Sequence, residues 1–325
     1  MKTPILFLFF NRLDTTQKVF EKIREAQPEH LYLASDGPRK NKEGEDKLVK
    51  DVRKWVLNHI DWPCTVHKHF NGENLGCGKN VSGSITWFFE NEAQGIILED
   101  DCVPHIDFFT YCEELLNKYH DDKRIWHICG TNPLGISNIS ESYFFSKYMH
   151  CWGWAGWADR WKHYTFDLKD YNKKDLKNLS SDRAVRSYFE KVLECMRKGT
   201  TDTWDYQWFL NVVAHNGLCI MPAKNLICNV GLVGTHTIGN SMSRECLHPI
   251  HPCLPLVHPH EVAFNSPLNQ KVLKRCLSIS DPSKKSSKII KKLIRFGCAL
   301  IPVTSWRRRL RSAGFARIKG KIYSL

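Results

Sequence analysis

A short apolar run that stops at three consecutive carboxylates constrains the fold of this chain more than any other feature. Residues 95–101 read Gly-Ile-Ile-Leu-Glu-Asp-Asp, which predicts a buried strand of a parallel sheet. Adjacent carboxylates repel one another unless a cation lies near them, and divalent cations prefer oxygen ligands. Ligands of open α/β sheets bind at the carboxyl ends of the strands. The run therefore predicts a metal-dependent site for an anionic ligand such as a nucleotide diphosphate; capping of a following helix is the alternative.

The first half of the chain alternates strand and helix patterns. Strands are predicted over residues 4–10, 31–35, 65–70 and 95–99, and helices over 14–26, 43–59 and 80–91. The first helix is expected to open at Asp14 or Thr15, which are good N-cap residues. The second half is less regular, with strands predicted over 125–129, 143–148, 217–221 and 225–229 and helices over 181–198 and 203–214. Strands separated by helices indicate an α/β fold with a mostly parallel, doubly wound sheet.

The cysteine content and the apolar start of the chain bear on its compartment. The 13 cysteines are odd in number and include no CxxC pair, which indicates reduced, cytosolic thiols rather than a disulfide framework. The apolar run at residues 4–10 fits a first strand better than a signal peptide. No segment reaches the 18 or so apolar residues that a membrane span requires.

The net charge of +13 belongs to the end of the chain. Residues 284–325 contain 13 Lys or Arg and no Asp or Glu, which leaves 34 basic against 34 acidic residues elsewhere. A neutral folded part lacks the basic face typical of nucleic-acid binding, so no nucleic-acid partner is expected. We predict a catalytic domain over residues 1–265, and a linker with a basic amphipathic tail over 266–325.

The basic tail has the pattern of an in-plane membrane helix. Within residues 288–301 the apolar side chains recur at helical spacing among lysines and an arginine, and Trp306 follows. An apolar stripe with flanking cations and an interfacial Trp suits an anionic membrane surface. The chain is therefore expected to be cytoplasmic and peripheral on the inner face of the plasma membrane. A solvated basic tail and an RNA-binding tail are the alternatives.

Polar residues follow the first two predicted strands. Asn11 and Arg12 come after the first strand and Asp36 after the second, so they should meet the acidic triplet at one sheet edge. Asp36 can accept from a uracil or ribose donor and Arg12 can meet phosphate. The alternative is a turn-forming Asp and a surface Arg. A glycine-rich loop with Gly78 and Lys79 precedes a helix, and such a loop can cradle an anion.

Two tryptophan-containing motifs are candidates for a sugar-binding pocket and a general base. Gly153 and Trp154 lie in a segment with three more tryptophans nearby, and flat rings of this kind can stack on sugars or pack in a core. Trp204 precedes Asp205 at the start of a predicted helix. An Asp beside indole rings suits a general base, with helix capping as the alternative.

Taken in order, these motifs resemble those of type A (GT-A) glycosyltransferases. The similarity is greatest to relatives of N-acetylglucosaminyltransferase I and to bacterial hemolysin-like sugar transferases, and it covers roughly residues 4–240. The motifs that carry it are Asn11-Arg12, Ala34-Ser35-Asp36-Gly37, Asn74-Leu75-Gly76-Cys77-Gly78, Leu98-Glu99-Asp100-Asp101, Gly153-Trp154 and Trp204-Asp205. The acidic triplet and the Trp-Asp pair are the specific parts.

The resemblance implies a GT-A fold, a nucleotide-sugar donor, a Mn²⁺ or Mg²⁺ ion and transfer with inversion. It implies that Asp101 binds the metal, and that Glu99 and Asp100 contact ribose or water. It further implies that Asp205 deprotonates the acceptor hydroxyl and that His236 reaches the diphosphate or the metal.

The resemblance also implies a hexosyl- or N-acetylhexosaminyltransferase of surface polysaccharide biosynthesis that uses a glycan or lipid-linked acceptor, with a UDP-sugar favoured. A sugar nucleotidyltransferase is one alternative, although its glycine-rich phosphate loop after the first strand is missing. A membrane- or lipid-binding protein acting through the basic tail is the other.

Overall fold

The structure is a computed structural model that describes residues 1–168, 171, 173–231 and 248–276. Residues Met1–Arg275 form one compact unit. The second unit, Cys276–Leu325, lies outside the described residues apart from Cys276. The predicted membrane helix of the tail therefore stays a prediction from sequence, and so does the domain boundary near residue 265.

The described chain contains strands and helices throughout. The strands are β1 Ile5–Phe9, β2 His30–Ser35, β3 Thr65–Phe70, β4 Gln94–Glu99, β5 Cys102–Pro104, β6 Ile125–Cys129, β7 Tyr143–Ser146, β8 Trp154–Trp157, β9 Leu218–Pro222 and β10 Ile227–Asn229. The helices are α1 Leu13–Ala26, α2 Glu45–Asn58, α3 Cys77–Asn91, α4 Asp107–Lys118, α5 Ala158–Trp161, α6 Leu176–Leu179, α7 Arg183–Arg197, α8 Asp205–Ala214 and α9 Ser266–Cys276.

One eight-stranded sheet forms the centre of the fold. Its strand order is β3-β2-β1-β4-β8-β6-β9-β7, and β5 pairs with β10 in a separate two-stranded sheet. Six of the eight strands run in one direction, whereas β7 and β8 run against their neighbours. The predicted α/β class with a mostly parallel sheet is confirmed.

Helices cover both faces of this sheet, as a doubly wound arrangement requires. On one face Phe7 of β1 belongs to the same buried cluster as Val19 of α1 and Phe108 of α4. On the other face Tyr32 of β2 packs edge-on against Phe88 of α3, with ring centroids 5.0 Å apart. Because both faces are buried, the central strands read as nearly continuous apolar runs instead of alternating ones.

Several local expectations differ from the structure. α1 begins at Leu13 with Arg12 as its N-cap, so the predicted caps Asp14 and Thr15 are wrong; Asp14 lies in the first turn, where its charge suits the helix dipole. Neither β8 nor α4 was predicted. β8 reads Trp-Ala-Gly-Trp and is buried at every position, so it has no alternating pattern to mark it.

A half-buried arginine, Arg53, joins the ends of β2 and β3 next to the candidate site. The Arg53 guanidinium donates to the carbonyl oxygens of Ser35 at 3.0 Å, Asp36 at 2.9 Å and Asn71 at 2.8 Å. Strand-end carbonyls that have left the sheet are satisfied in this way. The loops that carry Asp36 and the glycine-rich segment are therefore held together.

Two further features are the state of the cysteines and the apolar length of the helices. The cysteines of the described residues are all free thiols. Among the described residues, no helix has the length and apolar character needed to cross a membrane.

Candidate active site

Three carboxylates crowd the carboxyl end of β4. β1 and β4 are parallel neighbours with Leu8 opposite Glu99, so the turn after β4 lies beside the residues that follow β1. Arg12 donates to Asp100, and its Nη2 atom also lies 2.9 Å from Asp101 Oδ2. One guanidinium therefore faces two of the three acids, and negative charge remains in excess.

The protonation behaviour of these acids reflects that excess. Burial raises the pKa of Asp100 to about 6, with Arg12 opposing the shift and Asp101 adding to it. Burial also raises the pKa of Glu99 well above its usual value, and the charges of Asp101, Asp100 and Asp205 raise it further. Like charges held close together in a poorly solvated place favour the protonated form of one of them.

The donor set at the end of β4 suits a divalent cation. Asp100 Oδ2 is buried and has no hydrogen-bond partner among the described residues, and carboxylate oxygens are preferred ligands of Mg²⁺ and Mn²⁺. The described residues contain no ready group of three or more His, Cys, Asp or Glu ligands. A cation here would complete its coordination with oxygens of water and ligand. His236 lies outside the described residues.

The small β5–β10 sheet supports Asp101 from behind. Asn229 Nδ2 donates to Asp101 Oδ1 at 3.2 Å, and the Val230 N–H donates to the Asp101 carbonyl at 2.8 Å. Gly231 comes so near that an added Cβ would lie 2.2 Å from Asp101 Oδ2. Gly231 is also the last described residue before the segment that contains His236.

Asp36 binds backbone in this structure. Its carboxylate accepts from the N–H groups of Gly37 at 2.9 Å, Leu75 at 3.0 Å and Gly76 at 3.2 Å, and the residue is 5% exposed. Asp36 thus fastens the glycine-rich loop to the end of β2, and contact with a ligand stays a prediction.

Asn11 lies beside this edge and points to another partner. Its Nδ2 donates to Glu45 Oε1 at 2.9 Å, and Glu45 also pairs with Arg39. The structure therefore brings Asn11, Arg12 and Asp36 to neighbouring strand ends, but only Arg12 touches the acidic triplet.

A second carboxylate occupies the amino end of α3. Asp202 accepts from the N–H groups of Cys77 and Gly78, each at 2.8 Å. The amides predicted to cradle an external anion are thus bonded to a protein oxygen. Lys79 is exposed on the first turn of α3, and its contact with a donor stays a prediction.

Asp205 begins α8 and borders a cavity of about 160 Å³. The Thr203 hydroxyl donates to Asp205 Oδ1, and Cys151 Sγ lies 3.8 Å from Oδ2. The remaining lining residues, most of them aromatic, are Tyr148, Met149, His150, Trp152, Phe189, Tyr206 and Phe209. A carboxylate facing such a cavity can accept a proton from a hydroxyl group of a bound molecule.

Electrostatic coupling joins the cavity to the end of β4. The charge of Asp205 contributes to the raised pKa of Glu99. Both sites also act on the half-buried Cys77 thiol: burial raises its pKa most, and the charges of Glu99, Asp202 and Asp205 raise it further. The charges of the two carboxylate sites therefore influence each other.

The two tryptophans predicted to line a sugar pocket lie in the core. Trp154 is 1% and Trp204 2% exposed. His127 stacks on Trp154 at 4.7 Å, and the two indole rings stack at 5.9 Å. Gly153 is also buried, with φ +57°. Because these residues have no open face in this structure, it does not bring them to a surface where a sugar could bind.

The structure reveals functional candidates that the sequence reasoning missed. These candidates are the cavity residues of segment 148–152, Asp202 and Asn229. Asp202 stands three residues before Asp205, but no local pattern links it to a loop more than 120 residues earlier. The aromatic content of 143–152 was the only signal for the cavity, and it resembled that of a core strand.

Comparisons with known proteins find distant structural similarities. The mannosyltransferase PcManGT from Pyrobaculum calidifontis, solved with GDP-Man and Mn²⁺, is 11% identical over 66% of this chain and 69% of that chain, with a TM-score of 0.38. A UDP-glucose pyrophosphorylase solved with UDP-glucose is 11% identical over 70% and 93%, with a TM-score of 0.36. S. aureus TarS is 10% identical over 70% and 36%, with a TM-score of 0.37.

These similarities leave the function to the geometry of the site. TM-scores below 0.5 and identities near one tenth carry no residue roles across to this chain. Neither the protein-family models nor the curated proteins give a match.

Proposed function

We propose that this protein is a metal-dependent, inverting glycosyltransferase that uses a nucleotide-sugar donor. The observation that carries the proposal is the presence of two separate carboxylate sites, the Glu99–Asp101 triplet at the end of β4 and Asp205 at the aromatic cavity. Transfer from a nucleotide sugar needs one site that neutralises the negative charge of the departing diphosphate. It needs another group that takes a proton from the acceptor. The two sites match these two needs.

The acidic triplet is the proposed donor side. Asp101 would hold a Mn²⁺ or Mg²⁺ ion, while Glu99 and Asp100 Oδ2, which is unpartnered among the described residues, would contact ribose or water beside that ion. Such an ion acts as a Lewis acid that neutralises charge on the diphosphate. Arg12 lies 2.9 Å from Asp101 Oδ2, so its guanidinium could donate to phosphate oxygens of a donor held by that ion.

The cavity beside Asp205 is the proposed acceptor side. Asp205 would take the proton from the acceptor hydroxyl while the hydroxyl oxygen bonds to the anomeric carbon and the nucleotide diphosphate leaves from the opposite face. Tyr148, Trp152 and Tyr206 line the cavity, and rings of this kind pack on the C–H faces of sugars. These residues take the role that the sequence assigned to Trp154 and Trp204.

Donor, acceptor and location are part of the same proposal. We favour a UDP-sugar and a hexosyl or N-acetylhexosaminyl group, on the resemblance to N-acetylglucosaminyltransferase I relatives. The acceptor would be a glycan or lipid-linked sugar of surface polysaccharide biosynthesis. The basic tail would keep the enzyme at the inner face of the plasma membrane.

A donor screen tests the proposal. Purified protein is incubated with UDP, GDP and CMP sugars, with Mn²⁺ or with EDTA, and release of the nucleotide is measured. We expect turnover of one nucleotide class only when the metal is present, and its loss in Asp101→Ala. Asp51→Asn, which removes an exposed carboxylate paired with Lys47 on α2, is the matched control.

Two results would count against the proposal. Turnover that survives thorough chelation would exclude the metal. Release of pyrophosphate from a nucleoside triphosphate and a sugar phosphate, with no nucleotide-sugar turnover, would identify a nucleotidyltransferase instead.

A further inference from the structure

We propose that Asp202 is a positioning residue that fastens the segment carrying Asp205 to the amino end of α3. It would hold the proposed base at a constant distance from the carboxylates of β4. The inference rests on the proposed function, because it assigns Asp205 the role of base. It also makes a claim about local structure that can be measured without turnover.

The contact of Asp202 with α3 is a two-pronged helix cap. Its Oδ2 accepts from the Cys77 N–H and its Oδ1 from the Gly78 N–H, both at 2.8 Å. α3 has 15 residues, and its N-cap, Gly76, has no side chain that could satisfy these amides. A carboxylate at a helix amino end gains from charge-assisted hydrogen bonds and from the helix dipole. The cap is therefore supplied from a distant part of the chain.

The glycines of the loop make room for this cap. A Cβ added at Gly76 would lie 2.6 Å from Asp202 Oδ2. One added at Gly78 would lie 2.8 Å from Asp202 Oδ1 and 2.8 Å from the Thr203 carbonyl oxygen. The Gly-Cys-Gly sequence, which matches no phosphate-binding loop, thus has a structural explanation as the seat of an internal carboxylate.

The residues between Asp202 and Asp205 are anchored one after another. The Thr203 carbonyl accepts from Gln207 Nε2 at 2.7 Å, and the Trp204 carbonyl accepts from the Tyr164 hydroxyl at 3.3 Å. The Thr203 hydroxyl donates to Asp205 Oδ1. Asp202 extends this chain of contacts across to α3, and so couples the position of Asp205 to the glycine-rich loop that Asp36 holds on the donor side.

The test compares Asp202→Ala and Asp202→Asn with the natural enzyme. We expect Asp202→Ala to lower kcat roughly 10- to 100-fold, because small misplacements of a catalytic group have effects of this size. The KM for the donor and the affinity for the free nucleotide diphosphate should stay within about twofold. Asp202→Asn keeps one acceptor oxygen and should recover part of kcat.

Asp182→Ala is the matched control. Asp182 caps α7 by accepting from the Ala184 N–H at 2.7 Å, so the variant also removes an Asp cap but keeps the contact between Asp202 and α3. It should leave kcat unchanged. Hydrogen–deuterium exchange provides the readout that does not depend on activity. Exchange in peptides covering 75–80 and 200–206 should accelerate in Asp202→Ala and not in Asp182→Ala.

Three results distinguish failure of the positioning role from failure of the proposed function. Unchanged kcat, or unchanged exchange, in Asp202→Ala would overturn the positioning role. Tighter binding of the nucleotide diphosphate would also overturn it, because Asp202 would then be blocking a phosphate site. Accelerated exchange in Asp202→Ala, together with no turnover of any nucleotide sugar by the natural enzyme, would refute the proposed function while supporting the contact between Asp202 and α3.

Discussion

At the scale of single residues, the carboxylate of Asp205 carries the proposed chemistry. Its Oδ1 is oriented by the Thr203 hydroxyl, and the carboxylate borders the aromatic cavity. Asp205→Asn keeps the size and the hydrogen bond but removes the basic oxygen. We expect kcat to fall at least about 10²-fold, as for loss of a general base, with donor and metal binding nearly intact. Steady-state kinetics with nucleotide-diphosphate titration measure this, and near-normal turnover would mean that the base lies elsewhere.

Gly231 offers a second test at this scale. Its missing side chain leaves room for Asp101 Oδ2, which an added Cβ would approach to 2.2 Å. Gly231→Ala should therefore displace the carboxylate and weaken metal-dependent donor binding by roughly tenfold or more, since even small shifts of ligating groups matter. Gly72→Ala, where no atom lies within 4 Å of the new Cβ, is the matched control. Equal affinity for Mn²⁺ and nucleotide diphosphate in both variants, measured by calorimetry, would contradict the assignment of Asp101.

At the scale of elements, His127 joins β6 to α8 and to the cavity. Its Nδ1 accepts from Trp208 Nε1 at 3.2 Å, and its Nε2 donates to the His150 carbonyl at 3.1 Å. Burial lowers the pKa of His127 to about 3, so the ring is neutral in the folded protein. The same contacts that hold α8, and with it Asp205, depend on that neutral form.

This burial predicts a pH dependence of stability. The unfolded chain binds a proton at His127 below its ordinary pKa of about 6.5, whereas the folded protein does not until the pH nears 3. The contribution of the neutral His127 ring to the free energy of unfolding is therefore complete above pH 6.5 and is lost as the pH falls towards 3. Between pH 6.5 and 5 the loss is about 2 kcal/mol. Urea unfolding at several pH values should show this slope reduced in His127→Gln.

His120→Gln is the control for that measurement. The His120 side chain is 52% exposed, so its replacement should leave the slope unchanged. If His127→Gln does not reduce the slope of the free energy of unfolding against pH, the result would contradict the burial of a neutral ring. His150, whose pKa burial lowers to about 4, should account for part of the slope that remains.

At the scale of the whole molecule, the basic tail is expected to add membrane binding to a neutral folded part. The expectation rests on the sequence, since residues 277–325 lie outside those described. Each Lys or Arg near an anionic surface contributes roughly 1 kcal/mol, so 13 of them give ample attraction. We expect the full chain to float with anionic vesicles. The protein cut after residue 283 should remain in the bottom fraction of the gradient. Neutral vesicles and high salt are the controls, and equal flotation of both proteins would contradict the prediction.

The sheet shows why many elements could be predicted from sequence. The strands around 5–9, 30–35, 65–70 and 94–99 are marked by apolar runs, and α1 and α2 by apolar residues on one helical face. The ends of these strands were predicted to meet, and Arg12 does reach Asp100 and Asp101. Because β4 pairs with β1 in parallel, burial of their apolar residues sets the register and brings the acidic end of β4 beside the end of β1.

The sequence by itself therefore determined the α/β class, most strand and helix positions and the acidic edge of the sheet. Only the tertiary structure decided that Trp154 and Trp204 are enclosed in the core, that Asp36 binds backbone, and that Asp202 caps α3. Apolar periodicity is a local property of consecutive residues, so it can be read along the chain. The partner of a polar side chain, or the open face of a ring, depends on which distant segments meet in space, and for Asp202 and α3 those segments are more than 120 residues apart.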